Sequence, residues 1–190
     1  MKSLAEINDK HSDAAHVGGT DKGTGHSYIE TYEEILAPYR EKATDVLELG
    51  IARGYSLLLW HDYFTNAVIH GIDLRLGGAG AAKDIPRIVM YEGDSDNIKL
   101  TDAILPDGHF DVVINDGCHK VHSQLLTTAL LLTKMKPGGL LVIEDIEVAE
   151  SWKLYREFDA ELTVVDLSER RPKKKDNMLI ILRKRGEYVG

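Results

Sequence analysis

The stretch "DVLELGIARGYSLLLW", Asp45 to Trp60, decides the fold. Its first part is a short apolar run, Val46, Leu47 and Leu49 around Glu48, of strand length. Gly50 and Gly54 then bracket a turn, and "YSLLLWHDYF" (55–64) continues as a helix. Strand, glycine turn and helix make one arm of a βαβ unit, and the same alternation returns downstream. "AVIHGIDL" (67–74), "RIVMYEGD" (87–94), "FDVVIND" (110–116) and "LLVIEDI" (140–146) read as strands. "NIKLTDAIL" (97–105) and "VHSQLLTTALLLTKMK" (121–136) read as helices, the second stopped by Pro137-Gly138-Gly139. Two further strands, "ELTVVDL" (161–167) and "NMLIILRK" (177–184), can close a hairpin. The expected class is α/β: a doubly wound, mostly parallel, seven-stranded sheet with a C-terminal antiparallel hairpin.

Upstream, "YIETYEEILAPYREK" (28–42) places Ile29, Tyr32, Ile35, Leu36 and Tyr39 on one helical face, with Pro38 interrupting the helix. Residues 1–27 are polar and rich in Gly and His. They show no period, and they read as a mobile arm or lid on a core of residues 28–190. The whole of 1–190 reads as one domain.

Bulk properties narrow the function. The net charge of −8 argues against nucleic acid as a partner, despite the basic run Arg170-Arg171-Pro172-Lys173-Lys174-Lys175. A single cysteine gives no internal disulfide. No apolar run approaches a membrane span, and the N-terminus has no apolar signal core, so the expectation is a cytoplasmic protein without a membrane partner. A homo-oligomer is compatible with this composition.

In such sheets ligands bind beyond the carboxyl ends of the strands. Every expected parallel strand ends near a carboxylate: Glu48, Asp73, Asp94, Asp116 and Glu144-Asp145. The glycine turn is G-x-x-x-G, with Ala52 where a dinucleotide fingerprint needs its middle glycine. Gly50 and Gly54 allow close backbone approach, and Asp73 can accept both hydroxyls of a ribose. Asp94 can face an adenine edge, and Glu48 can hold a cationic amino group or order the loop. This set favours S-adenosylmethionine over NAD.

"INDGCHKVH" (114–122) admits several readings. Zinc on Cys118, His119 and His122 lacks a paired ligand motif elsewhere. A Cys118 nucleophile beside His119 is less apt than a buried, inert thiol. Asp116 together with Glu144 and Asp145, at the ends of neighbouring strands ~4.8 Å apart, supplies three hard oxygens suited to Mg²⁺, or Mn²⁺ or Ca²⁺. Glu144 and Asp145 can both join only if the strand ends there. His119 then becomes the base for a hydroxyl whose pKa the cation lowers, and His122 falls on a helix surface.

These residues together resemble the class I S-adenosylmethionine-dependent methyltransferases, which have Rossmann-like folds. More narrowly, "TDKGTGHSYIETYEE", "VLELGIARGYSLLLWHDYF", "IHGIDL", "GDSDN", "FDVVINDGCH" and "GGLLVIEDIE" are similar to the metal-dependent macrolide sugar O-methyltransferases and to the cephalosporin hydroxylase-like group. The resemblance implies Asp116, Glu144 and Asp145 as metal ligands and His119 as base. It implies Glu48, Gly50, Ser56, Asp73, Asp94 and Ser95 at the cofactor, with Thr20, Lys22, His26 and Tyr28 near cofactor or acceptor. Asp116 borders both ligands. Cys118 stands where the family usually has Ser, and the resemblance, which runs over roughly residues 20–147, is expected to leave out the additional N-terminal region of the macrolide enzymes. The expected activity is O-methylation of a sugar or natural-product hydroxyl. The alternatives are methylation of a nucleic-acid or phosphorylated acceptor, and a non-catalytic S-adenosylmethionine-binding module.

Overall fold

The computed structural model describes residues 1–11, 19–171, 173 and 176–188. Seven strands form one sheet: Asp45–Leu49 (β1), Val68–Asp73 (β2), Ile88–Glu92 (β3), Phe110–Asn115 (β4), Met135–Ile143 (β5), Ala160–Asp166 (β6) and Met178–Lys184 (β7). Their order is β3-β2-β1-β4-β5-β7-β6. β1 to β5 run parallel, while β7 pairs antiparallel with both β5 and β6. The expected parallel sheet with a terminal hairpin is therefore present. β7 lies inside the sheet and β6 forms its edge.

Helices cover both faces. Leu4–His11 (α1), Ile29–Leu36 (α2) and Tyr55–Tyr63 (α3) pack Leu4, Ile7, Tyr32, Leu57 and Trp60 against Val46, Ile69 and Val112. Ile98–Ile104 (α4), Val121–Lys134 (α5) and a 3₁₀ segment at Ala149–Glu157 cover the other face, where Leu47, Leu49, Val113 and Leu141 meet Leu131 and Tyr155. The two clusters take alternate residues of the same strands, as the period of two requires. Pro38 sits in a 3₁₀ turn, Ala37–Tyr39, which ends α2 as expected.

Two expectations about local structure are corrected. Residues 4–11, read as part of an irregular arm, form α1, with Leu4 and Ile7 buried. Burying side chains of this size contributes about 1.5–3 kcal/mol each, enough to dock a helix whose eight residues are too short to show a period. Lys10 and His11 also pair with Asp62 of α3, at 2.5 and 2.9 Å. The stretch 12–18 of the arm, including His16, lies outside the described residues. The second correction concerns Pro137-Gly138-Gly139. It does not separate α5 from the strand but lies within β5, where pairing with β4 shifts between Phe110 and Val112. A register break tolerates proline, and Gly138 takes φ +71° there.

A candidate active site at the carboxyl ends of β1, β4 and β5

The strand order reverses between β1 and β4, and a cleft of about 830 Å³ opens there. Gly50, Ala52, Ser56, Asp73, Asp94, Ser95, Asp116, His119 and Asp145 all line it, together with Gly19 to Lys22. Separate loops therefore bring most of the expected site residues to one cavity.

The glycine turn is built mainly for the protein's own packing. Gly50 has φ +79°, and a Cβ there would lie 2.1 Å from the Asp116 carbonyl oxygen. Gly54 has φ +83°, and a Cβ there would press on Ala82 at 2.9 Å. Both glycines let neighbouring loops close together. Asp73 Oδ2 accepts from the backbone N–H groups of Ile51 and Ala52, both at 2.9 Å. That carboxylate orders the turn, and its other oxygen lies near the Arg75 amide (3.3 Å). Asp94 likewise accepts from the Asp96 amide at 2.9 Å.

Beneath the cleft lies a buried ion cluster. Lys22 Nζ sits 2.8 Å from Asp116 Oδ2, 2.7 Å from Glu144 Oε1 and 3.3 Å from Glu48 Oε1. The cation beside Glu48 is thus the chain's own ammonium. Burial alone would lower the Lys22 pKa, but the three carboxylates outweigh it and hold it well above its ordinary value. Burial pushes Glu48 and Glu144 up. Asp116 goes down, because Lys22 and His119 outweigh its burial. Ser56 donates its hydroxyl to Glu48 at 2.6 Å, so it supports this cluster, and Tyr32 donates to Glu144. Sequence reading placed Tyr32 only on an apolar face. The signal available was its phenol, since a buried tyrosine hydroxyl needs a partner.

A second cluster faces the cleft. His119 Nε2 is 3.6 Å from Asp116 Oδ1, and its Nδ1 is 3.6 Å from Asp145 Oδ2. The adjacent Asp116 carboxylate and the charge of Asp145 hold the His119 pKa above its usual value. Burial and the nearby Asp116 charge raise the Asp145 carboxyl. Tyr28 donates to Asp145 Oδ1 at 2.7 Å, and His26 Nδ1 lies 3.4 Å from the same oxygen. β5 ends at Ile143, and Asp145 adopts φ +56°, a left-handed conformation that costs a non-glycine residue about 1–2 kcal/mol. That bend carries Asp145 to the cleft while Glu144 stays buried. Glu144 groups with Glu48 and Asp116, and Asp145 groups with Asp116 and His119; the ligand atoms of each group lie within 4.8 Å of one another. Asp116 links the two groups.

Other expectations resolve individually. His122 is exposed on α5. Cys118, read as buried, is exposed at the cleft, because the chain turns outward after Asn115. Thr20 is buried on the cleft wall. Of the basic run, Arg170 pairs with Glu30 at 2.5 Å, while Arg171 donates to the Gly23 carbonyl (3.1 Å) and Ser27 Oγ (3.2 Å). Those arginines tie the C-terminal turn to the Gly23–Glu30 segment. Pro172, Lys174 and Lys175 lie outside the described residues. No helix among the described residues is long and apolar enough to cross a membrane.

Comparison with known proteins fits this geometry. A family model described as a methyltransferase domain matches residues 47–146, which run from β1 to the turn carrying Asp145. The chain belongs to this methyltransferase domain family. It is 32% identical over 139 residues to the 8-demethyl-8-alpha-L-rhamnosyl tetracenomycin-C 2'-O-methyltransferase of Streptomyces olivaceus, covering 69% of this chain and 36% of that protein. It is 32% identical over 133 residues to the mycinamicin VI 2''-O-methyltransferase of Micromonospora griseorubida, covering 65% of this chain and 32% of that one. This methyltransferase domain thus spans about a third of the length of the relatives it matches. The MycE methyltransferase of the mycinamycin biosynthetic pathway, solved in complex with Mg, SAH and mycinamycin VI, shares the fold. The match has TM-score 0.76 at 22% identity and covers all of this chain and 56% of that one.

Proposed function

We propose that this methyltransferase domain transfers a methyl group from S-adenosylmethionine to a hydroxyl of a sugar or other natural-product acceptor, assisted by a divalent cation. The observation that carries the reading is His119, held between two carboxylates on the wall of the cleft that also presents the glycine turn and Asp73. The sugar O-methyltransferase relatives support the same acceptor class.

The donor set fits the cation in part. Asp116 and Asp145 offer oxygens beside His119 on the cleft wall. Glu144 is engaged by Lys22 and Tyr32, so it would join them only by exchanging those partners. Mg²⁺ suits such oxygens, with Mn²⁺ or Ca²⁺ as substitutes. When bound, S-adenosylmethionine supplies the methyl group, and the cation lowers the pKa of a hydroxyl beside it. The chain's own part is positional. Asp116 and Asp145 fix the imidazole plane from both sides. Each ring nitrogen faces a carboxylate at 3.6 Å, so the nitrogen that takes the hydroxyl proton does so as the acceptor enters beside its carboxylate. Thr20, Lys22, Glu48, Gly50, Gly54, Ser56, Asp73, Asp94 and Ser95 shape the cofactor end, with Lys22, Glu48 and Ser56 acting from beneath the cleft. Gly19 to Asp21, on the cleft wall, close over the bound ligands as a lid, while α1 stays docked.

The reading is tested by offering a deoxysugar glycoside with S-adenosylmethionine and following product mass, with and without EDTA. Methylation that EDTA abolishes is the expected result, and full activity in EDTA removes the cation from the proposal. Calorimetry should show binding of S-adenosylhomocysteine and none of NAD. Asp73→Ala should weaken that binding by about 1.5–3 kcal/mol, the value of a charge-assisted hydrogen bond.

A further inference from the structure

At the opposite, amino-terminal end of the parallel strands, three side chains outside the cleft converge. Asp45 begins β1, His70 lies in β2, and His109 immediately precedes β4. β1 is the strand between the other two, so three separate strand entries meet here. His70 Nε2 and His109 Nε2 each lie 3.1 Å from the same atom, Asp45 Oδ1. One ligand atom from each residue falls within 4.8 Å of the others. Ligands set tetrahedrally at zinc distances of ~2.0–2.2 Å stand roughly 3.3 Å apart. Both nitrogen–oxygen separations are already close to that spacing.

The surroundings are those of a supported ligand set. His70 Nδ1 lies 3.4 Å from the Tyr91 hydroxyl, and Thr44 donates its hydroxyl to the other Asp45 oxygen at 2.9 Å. Metal-binding histidines characteristically have their second nitrogen engaged in this way. The Phe110 ring stands edge-on to both imidazoles, at 5.2 Å from His70 and 5.1 Å from His109, and Tyr91 stacks on His70 at 6.2 Å. These rings wall one side with apolar surface. Lys136 donates to the Thr44 hydroxyl at 2.8 Å and is paired with Asp111 at 2.9 Å.

We propose that Asp45, His70 and His109 bind a zinc-class divalent ion, with a fourth position open to water on the side of His109, whose side chain is 39% exposed. Two imidazoles and one carboxylate select Zn²⁺, Co²⁺ or Ni²⁺ over Mg²⁺. The ion would join the entries of β2, β1 and β4, so its effect is on stability, separate from methyl transfer. A simple hydrogen-bonded His–Asp–His group explains the same distances but predicts no metal affinity.

The experiment is zinc titration by calorimetry of chelator-stripped protein in excess Mg²⁺. The Asp116→Asn/His119→Ala variant serves as background, which removes the Asp116–His119–Asp145 ligand group of the cleft. One zinc per chain and a raised melting temperature are expected. Adding His109→Ala should weaken binding about 10–100-fold or more, since even indirect support of a metal ligand is worth that much. Co²⁺ should give the visible absorption of a four-coordinate site in the background variant and lose it with His109→Ala. Because His109 is part-exposed, the metal-free circular dichroism and melting temperature of that variant should match those of its parent. If the background variant does not fold, wild type is compared with His109→Ala and Asp45→Asn, each of which should bind one zinc fewer. Unchanged zinc affinity and stoichiometry on removal of His109, or no zinc bound by the background variant, would overturn the proposal.

Discussion

Two aspartates at opposite ends of one strand differ in how far their own chain satisfies them. Asp111, near the start of β4, is fully buried and saturated. It accepts from the amides of Thr44 (2.8 Å) and Asp45 (3.0 Å), from Lys136 (2.9 Å) and from the Tyr188 hydroxyl (3.0 Å). Asp116, just beyond the end of β4, has Lys22 on one oxygen and shares the other with His119 across 3.6 Å, on the wall of a cleft. Both sit beside apolar runs and both have lowered pKa values. Asp111 has its bonding capacity filled by its own chain. Asp116 is crowded by other carboxylates and retains a side that faces incoming ligands. Degree of satisfaction, rather than pKa direction, separates the two.

The largest effect is expected at His119. Under the proposed function, His119→Ala should cut turnover by about 10²–10⁴-fold while leaving S-adenosylhomocysteine affinity nearly intact. Equal turnover in wild type and variant would return Asp116 and its neighbours to a structural role.

Next comes Lys22. Lys22→Met leaves Glu48, Asp116 and Glu144 without their shared cation, and removing one partner of a buried ion group costs about 3–5 kcal/mol. The urea midpoint should drop accordingly. A Glu144→Gln change in the same background should recover part of that loss, because it removes one unpaired charge.

Asp111→Asn should cost less, about 1–3 kcal/mol, as buried donors lose a charged acceptor. The Asp111 carboxyl would rise with burial, but Lys136 and the amides of Thr44 and Asp45 outweigh that and depress it in the folded state. Its contribution is therefore complete above the unfolded value of ~3.9 and is lost as pH falls through the lower folded value. The stability gap between wild type and Asp111→Asn should be widest near neutral pH and should shrink in the acid range below that unfolded value. A gap that widens with acid would contradict the assignment. The smallest effect should come from Arg170→Ala. Its pairing with Glu30 is solvent-exposed, so a change in melting behaviour of about 0–1 kcal/mol is expected.

Periodicity and punctuation sufficed for the sheet, because strand length, the glycine turn and helix length are properties of consecutive residues. The five parallel strands and the hairpin were legible for that reason. α1 was not, because Leu4 and Ile7 become a face only when α2 and α3 supply a surface to bury them. Pro137-Gly138-Gly139 read as a helix stop, and only the register break between β4 and β5 shows why a strand tolerates them.

The site divides along the same line. Sequence by itself determined which carboxylates and which histidine stand at strand ends, since chain order and the period of two control that placement. It could not determine which oxygen each partner uses. Lys22 lies 94 residues before Asp116 and 122 before Glu144, yet one ammonium joins them. Asp145 reaches His119 because its own backbone turns left-handed, while its neighbour Glu144 stays below with Lys22. Pair distances, desolvation and backbone strain depend on segments that meet only after folding, and for that reason tertiary structure alone decided how the charges are shared.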